Sequence, residues 1–316
     1  MYYFAENYFS LKIIFLGTPE FSVASLKAIV DAGFDVVAVV TAPDKPAGRG
    51  MHMHESAVKK FAKTKHIPVL QPVKLKDPDF ISQLKSYNAD LQVVIAFRML
   101  PEAVWNMPPL GTVNLHASLL PDYRGAAPIN WAIINGEKET GVCTFFLKHE
   151  IDTGDIILSK KVTITETMNA GELHDILMNT GAEVIVETLK SIENNSYTLT
   201  SQGTGSDKTA PKIFTKHCRI NWNDKGKNIY NLIRGMSPYP GAFTEIDGKI
   251  LKVYQSEFIP DNNLKIAAGE FESDGKTSLK FACKGGWISL NDVQLAGKKR
   301  MMIDELLRGY RITKLK

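Results

Sequence analysis

The stretch Leu11-Lys-Ile-Ile-Phe-Leu-Gly-Thr-Pro-Glu-Phe21 decides the fold. Its apolar run from Leu11 to Leu16 ends at Gly17, the pattern of a parallel strand covered on both faces. Pro19 suits the first turn of a helix over about 20–32, and Gly33 is placed to stop it. Phe34 to Thr41 then reads as a second strand. The rhythm continues through helix 55–65, strand 67–71, helix 77–87 and strands 90–97 and 111–116. Val142 to Leu147 and Ile156 to Ile164 read as further strands, and Ala170 to Ile192 as a long closing helix. Such alternation predicts an α/β domain with a doubly wound, mainly parallel sheet and right-handed crossovers, here spanning 11–200.

Ser201-Gln-Gly-Thr-Gly-Ser-Asp-Lys-Thr-Ala-Pro211 is rich in Gly, Ser and Thr and reads as part of a linker over 201–215. Beyond it come a short helix (226–235), the turn-forming Ser-Pro-Tyr-Pro-Gly at 237–241, and several short strands. That spacing predicts a small C-terminal β-barrel over 216–316. Residues 1–10 have neither a basic head nor an apolar stretch, so they read as an extension and not as a secretory signal.

With 316 residues, 44% hydrophobic and 23% charged, the chain has material for a large core, and its length favours two domains. A 9% share of aromatics excludes a disordered or low-complexity protein. The apolar runs Val36 to Val40 and Leu91 to Phe97 are far short of a membrane span, so no membrane partner is expected. Cys143, Cys218 and Cys283 are odd in number and scattered. They suggest neither disulfides nor a metal site, and a reducing cytoplasm is expected. Charge is uneven. Residues 1–207 carry 18 basic against 23 acidic groups, a balance of −5, whereas 208–316 carry 20 against 11, a balance of +9. A basic C-terminal part suits a polyanionic partner, although solubility alone would also account for it.

Gly17-Thr-Pro-Glu-Phe21 sits where a dinucleotide fold keeps its glycine-rich turn, but it has one glycine, a proline that removes a donor, and an acid that would repel pyrophosphate. No phosphate-loop sequence occurs, which argues against nicotinamide or ATP chemistry. The informative segment is Gly111-Thr-Val-Asn-Leu-His-Ala-Ser-Leu-Leu-Pro-Asp-Tyr-Arg-Gly-Ala-Ala-Pro128. Asn114 and His116, two apart near a strand end, leave the same face into the crevice where open α/β sheets bind ligands. An amide beside an imidazole can hold an oxyanion and handle a proton. Asp152, at a turn before Gly154, could orient that imidazole or could be a plain turn aspartate. Met51-His-Met-His54 lacks a third ligand and reads as loop, Ser118 lies in no nucleophile elbow, and Met236, Met301 and Met302 read as packing residues. Trp222 and Trp287 read as anchors of the small domain.

Together, Asn114-x-His116, Ser118-Leu-Leu-Pro121, Arg124-Gly-Ala-Ala-Pro128 and Ile151-Asp-Thr-Gly154 resemble the signature of folate-dependent formyltransferases. Phe15-Leu-Gly-Thr-Pro-Glu-Phe21, the loop Pro43-Asp-Lys-Pro-Ala-Gly-Arg-Gly50 and Ala296-Gly-Lys-Lys299 are similar to the members that act on a charged tRNA. The resemblance runs from about Leu11 to Leu307. It implies a Rossmann-like catalytic domain followed by an OB-like barrel. It also implies formyl transfer from 10-formyltetrahydrofolate to the amine of methionine on charged initiator tRNA, with no metal, in a cytoplasmic monomer. Asn114, His116 and Asp152 match the catalytic trio. Ser118, Leu119, Leu120 and Pro121 match the folate-binding stretch, with Phe97, Arg98 and Met99 where many relatives carry Tyr-Gly. Arg49 and Lys45 in the loop, near Lys59, Lys60, Lys63 and Lys65, and Lys208 and Lys212 after it in sequence, are the implied tRNA contacts; Lys298, Lys299 and Arg300 could equally be a solvated turn. A formyltransferase for a glycinamide nucleotide or amino sugar, and a non-catalytic RNA-binding protein, are the alternatives.

Overall fold

Seven strands form one sheet in the computed structural model, which describes residues 11–47, 52–150, 152–203 and 207–312. In chain order the first half contains β1 (Lys12–Gly17), α1 (Glu20–Asp31), β2 (Asp35–Val40), β3 (Lys45–Ala47), β4 (His52–His54), α2 (Ala57–Thr64) and β5 (Val69–Leu70). Then come α3 (Pro78–Ser86), β6 (Leu91–Ile95), α4 (Glu102–Trp105), β7 (Thr112–His116), β8 (Arg124–Gly125), α5 (Pro128–Ile134), β9 (Glu139–Phe146), β10 (Ile156–Thr163) and α6 (Ala170–Glu193). The sheet order is β10-β9-β7-β6-β1-β2-β5. β1, β2, β5, β6 and β7 pair in parallel, and β9 runs antiparallel to β7, as edges of such sheets tolerate.

β1 is buried as its apolar run requires, with Ile13, Ile14, Phe15 and Leu16 at most 1% exposed. Gly17 lets α1 approach closely: a Cβ there would lie 2.7 Å from that of Ser22, whose hydroxyl donates to Ile95 O at 2.7 Å. Ser56 and Asp77 cap α2 and α3 by accepting backbone N–H groups. The loop expected over 43–54 holds the short hairpin β3–β4, with Lys45 opposite His54.

The described chain falls into two compact units, one from Met1–Arg124, Gly141–Val162 and Asp175–Asp207, the other from Gly125–Thr140, Thr163–His174 and Lys208–Lys316. The second unit continues with β11 (Thr209–Ala210), α7 (Gly226–Gly235), β12 (Ala242–Ile246), β13 (Lys249–Pro260), β14 (Phe271–Ser273), β15 (Leu279–Cys283), β16 (Gly286–Leu295), β17 (Met301–Met302) and α8 (Ile303–Gly309). Its antiparallel sheet, β12-β13-β16-β15-β14 with β17 on β16, is barrel-like and open between β12 and β14 among the described residues. Two of the strands expected to be short are long, β13 with 12 residues and β16 with 10. Pairing of β13 with β16 shifts register around Gln255, as at a bulge. Ile229, Ile233, Met236, Val253, Ile288 and Leu306 form its core.

α5 belongs to this second unit. Gly235 leaves room for it, since a Cβ there would meet Ile134 Cγ1 at 2.5 Å, and Asn130 Nδ2 donates to Gly235 O. Trp222 stacks on Phe281 with centroids 4.5 Å apart and donates to Thr244 Oγ1, and Trp287 is buried, so both anchor the unit. Met236 is buried and Met301 packs on the core, but Met302 is 47% exposed, a correction to its reading as a packing residue. Among the described residues no helix is long and apolar enough to cross a membrane.

Candidate active site

Asn114 and His116 stand on β7, which lies in the sheet between β6 and β9. Register places Phe145 opposite Asn114 and Cys143 opposite His116. Asn114 is half-buried and His116 is 8% exposed. His116 Nε2 donates to Tyr123 O at 3.0 Å. A carbonyl only accepts, so Nε2 carries its hydrogen, and proton exchange by this ring belongs to Nδ1.

The loop after β7 is built to present that carbonyl. Ser118 is fully buried and its hydroxyl donates to Asp122 O at 2.7 Å, while Asp122 N donates to Leu119 O at 3.2 Å. Tyr123 is buried and left-handed, with φ 60°, which turns its carbonyl back. The hydroxyl of Ser118 is thus spent within the loop, and its contribution to a ligand is the loop's shape. Leu120 is buried, and Leu119 and Pro121 are half-buried.

Asp152 lies in the loop that leaves β9. Gly154 closes that loop against the strand: a Cβ there would fall 1.7 Å from Phe146 O and 2.9 Å from the Phe145 ring. Asp152 is left-handed, with φ 54°. Burial pushes the Cys143 thiol up to about 12, the Leu120 backbone pulls against this, and the Asp152 carboxylate adds to the rise. Asp152 therefore acts electrostatically on the residue opposite His116. Asn114 and His116 thus share β7, and the Asp152 carboxylate is linked to them through Cys143, the residue paired with His116.

Tyr123 and Gln202 of this framework had no role in the sequence reading, and Arg124 entered it only as part of the family signature. Gln202 Nε2 donates to Asp152 O at 2.9 Å and Gly154 O at 2.7 Å, and Arg124 donates to Gln202 Oε1 through Nε and Nη2. Gln202 lies in the stretch read as linker, yet Thr200 pairs with Ile156 and Gln202 is 9% exposed. Its composition signalled a flexible tether, and nothing local betrayed the carbonyls it meets.

The remaining candidates are scattered. Ala96 is left-handed at the end of β6, and Phe97 packs half-buried on the core. Arg98 donates to Val73 O at 2.9 Å and to Pro72 O, so it ties two loops, and Met99 is 73% exposed. Lys45 is exposed on β3, and Arg49 lies outside the described residues. Lys59 bridges Asp44 and Glu55, and Lys63 pairs with Glu55. Two of the four lysines near the loop are thus ion-paired with acids. Lys208 pairs with Glu137, Lys212 is exposed beside Phe214, and Arg300 is bound by Asp292 and lies over Tyr254.

The model of the formyl transferase family matches residues 11–189, and that of the formyl transferase C-terminal domain matches 212–311. A methionyl-tRNA formyltransferase of Bacteroides fragilis is 49% identical over 312 residues, covering 96% of both chains. One of Flavobacterium johnsoniae is 51% identical over 304 residues, covering 95% of this chain and 96% of that one. Among solved structures, an N-formyltransferase from Helicobacter canadensis, in complex with folinic acid and dTDP-3-aminofucose, superposes with a TM-score of 0.67. That match has 20% identity and covers 90% of this chain and 99% of the other, so it speaks for the fold. The chain belongs to the formyltransferase family, alongside methionyl-tRNA formyltransferases over nearly its whole length.

Proposed function

We propose that the protein moves the formyl group of 10-formyltetrahydrofolate onto the α-amine of methionine carried by initiator tRNA. The neutral amine attacks the formyl carbon, a carbon–nitrogen bond forms, and the carbonyl electron pair moves to oxygen. Asn114 donates to that oxyanion, and protonated His116 donates a second hydrogen through Nδ1. Donors aimed at developing charge supply the largest share of such catalysis. As the intermediate collapses, the bond to folate N10 breaks and the carbonyl re-forms. The attacking nitrogen loses its extra proton toward Asp152, and N10 leaves with a proton delivered through water.

The observation that carries this reading is the β7–β9 pairing, which sets Cys143, within the electrostatic reach of Asp152, opposite His116. The acceptor is argued from the printed names of the relatives near half identity and from the +9 balance of residues 208–316. Leu119, Pro121 and Phe97, half-buried around the strand ends, are the apolar wall proposed for the pterin, shaped by Ser118, Leu120, Arg98 and Met99 nearby in sequence. Lys45 and Lys212, both exposed, together with Arg49 and Lys208, are the proposed tRNA contacts. The test is formyl transfer from 10-formyltetrahydrofolate to charged initiator tRNA, charged elongator tRNA, a glycinamide nucleotide and an amino-sugar nucleotide. Preference for the first supports the reading, and transfer to a small amine alone overturns it.

A further inference from the structure

We infer that Arg124 and Gln202 form a positioning relay that holds Asp152 and His116 in one frame during formyl transfer, an inference that rests on the function proposed above. A guanidinium offers only donors, and Nε and Nη2 of Arg124 meet Gln202 Oε1 at 3.1 and 2.6 Å. This settles the amide's orientation: its oxygen faces Arg124 and its nitrogen faces the carbonyls of Asp152 and Gly154. Both sides agree, because a carbonyl can only accept. Contact with a cation polarises the amide, which strengthens the two hydrogens it donates. Gln202 is 9% exposed and Gly154 is buried, while Arg124 and Asp152 are half-buried.

The backbone of Asp152 is left-handed, a conformation uncommon outside glycine that aspartate tolerates and that its hydrogen-bonded surroundings help to hold. On one side Gly154 is pressed on Phe146 O, and on the other Gln202 grips the carbonyls of residues 152 and 154. At its far end the relay reaches the imidazole. The residue before Arg124 is Tyr123, whose carbonyl takes the His116 Nε2 hydrogen. One chain of contacts thus runs from His116 through Tyr123, Arg124 and Gln202 to the backbone of Asp152. None of the linking side chains needs to touch substrate, so their role is to position.

Gln202→Met keeps the volume and removes every polar atom, whereas Gln202→Glu keeps an acceptor for Arg124 and removes both donors. Each is expected to lower kcat by roughly 10- to 100-fold, the scale of a misplaced catalytic group, with both KM values within about threefold. Arg124→Lys, which keeps the charge and loses the fork, is expected to give the same split. Added to Asp152→Asn, Gln202→Met is expected to cause almost no further loss, because both act through one group. Wild-type kcat in Gln202→Met and Gln202→Glu, or losses that multiply in the double variant, would overturn the relay alone. Wild-type turnover in Asp152→Asn would overturn the relay together with the role proposed for Asp152.

Discussion

Because the Tyr123 carbonyl can only accept, it fixes a hydrogen on His116 Nε2 and leaves Nδ1 as the ring nitrogen that faces other partners. An imidazole held this way works through one nitrogen, so the neighbouring amide bears much of the oxyanion stabilisation. Asn114→Ala is therefore expected to lower kcat by about 100-fold or more, measured by steady-state formyl transfer, with little change in melting temperature. The thiols make a second prediction. Burial pushes Cys143 to about 12 and Cys283 to about 11, and it raises Cys218 as well. A raised value means less reactive thiolate at every pH below it, and all three thiols are buried. The native chain is expected to leave Ellman's reagent unreacted at about pH 8, and to titrate fully once unfolded in guanidinium. Rapid reaction of the native chain would show that at least one of these three buried sites opens to solvent.

Among elements, the loop after β9 is the least forgiving. Gly154→Ala sets a methyl against a backbone oxygen, which cannot swing aside as a side chain can. Overpacking of this kind costs about 1–3 kcal/mol, and the expected result is a lower melting temperature and a kcat reduced at least tenfold. The β3–β4 hairpin rests on Asp44, whose carboxylate accepts from Lys59 Nζ at 2.5 Å and Gln71 Nε2 at 2.8 Å. The bond from Lys59 leads in drawing the Asp44 carboxyl below the usual range, and the same bond raises Lys59. The clamp loosens as pH falls through the lowered Asp44 value or rises through the raised Lys59 value, so it holds across the neutral range. Asp44→Ala is expected to raise KM for charged tRNA several-fold and leave KM for the folate donor unchanged; equal rises in both would contradict a role for the hairpin in tRNA binding. The strands were legible in sequence because Ile13 to Leu16 and, Gln92 apart, Leu91 to Ile95 are apolar runs buried on both faces. The hairpin was not, since Lys45–Ala47 and His52–His54 have three residues each, too few for a pattern to mark them. Asn114 and His116 could be read from their spacing on one strand. Gln202 could not, because its partners lie about 50 residues away and are backbone carbonyls, to which no side-chain pattern points.

At the level of the whole molecule, charge is divided along the chain, and the basic balance of residues 208–316 suits the polyanionic acceptor proposed above. Salt is therefore expected to act selectively. Raising potassium chloride from about 50 to about 200 mM is expected to raise KM for charged tRNA by roughly tenfold or more, by counterion release, while KM for the folate donor changes less than about twofold. What linear reading missed is that the units are not consecutive. Residues 125–140 and 163–174 are grouped with the C-terminal sheet, and Ile134 and Asn130 complete the surface around Gly235. Anyone grafting the tail of one relative onto the head of another should expect trouble from a single splice near residue 208. The transplanted piece would arrive without its α5 cover, and the recipient would keep a cover shaped for a different tail. A sound chimera exchanges three segments at once.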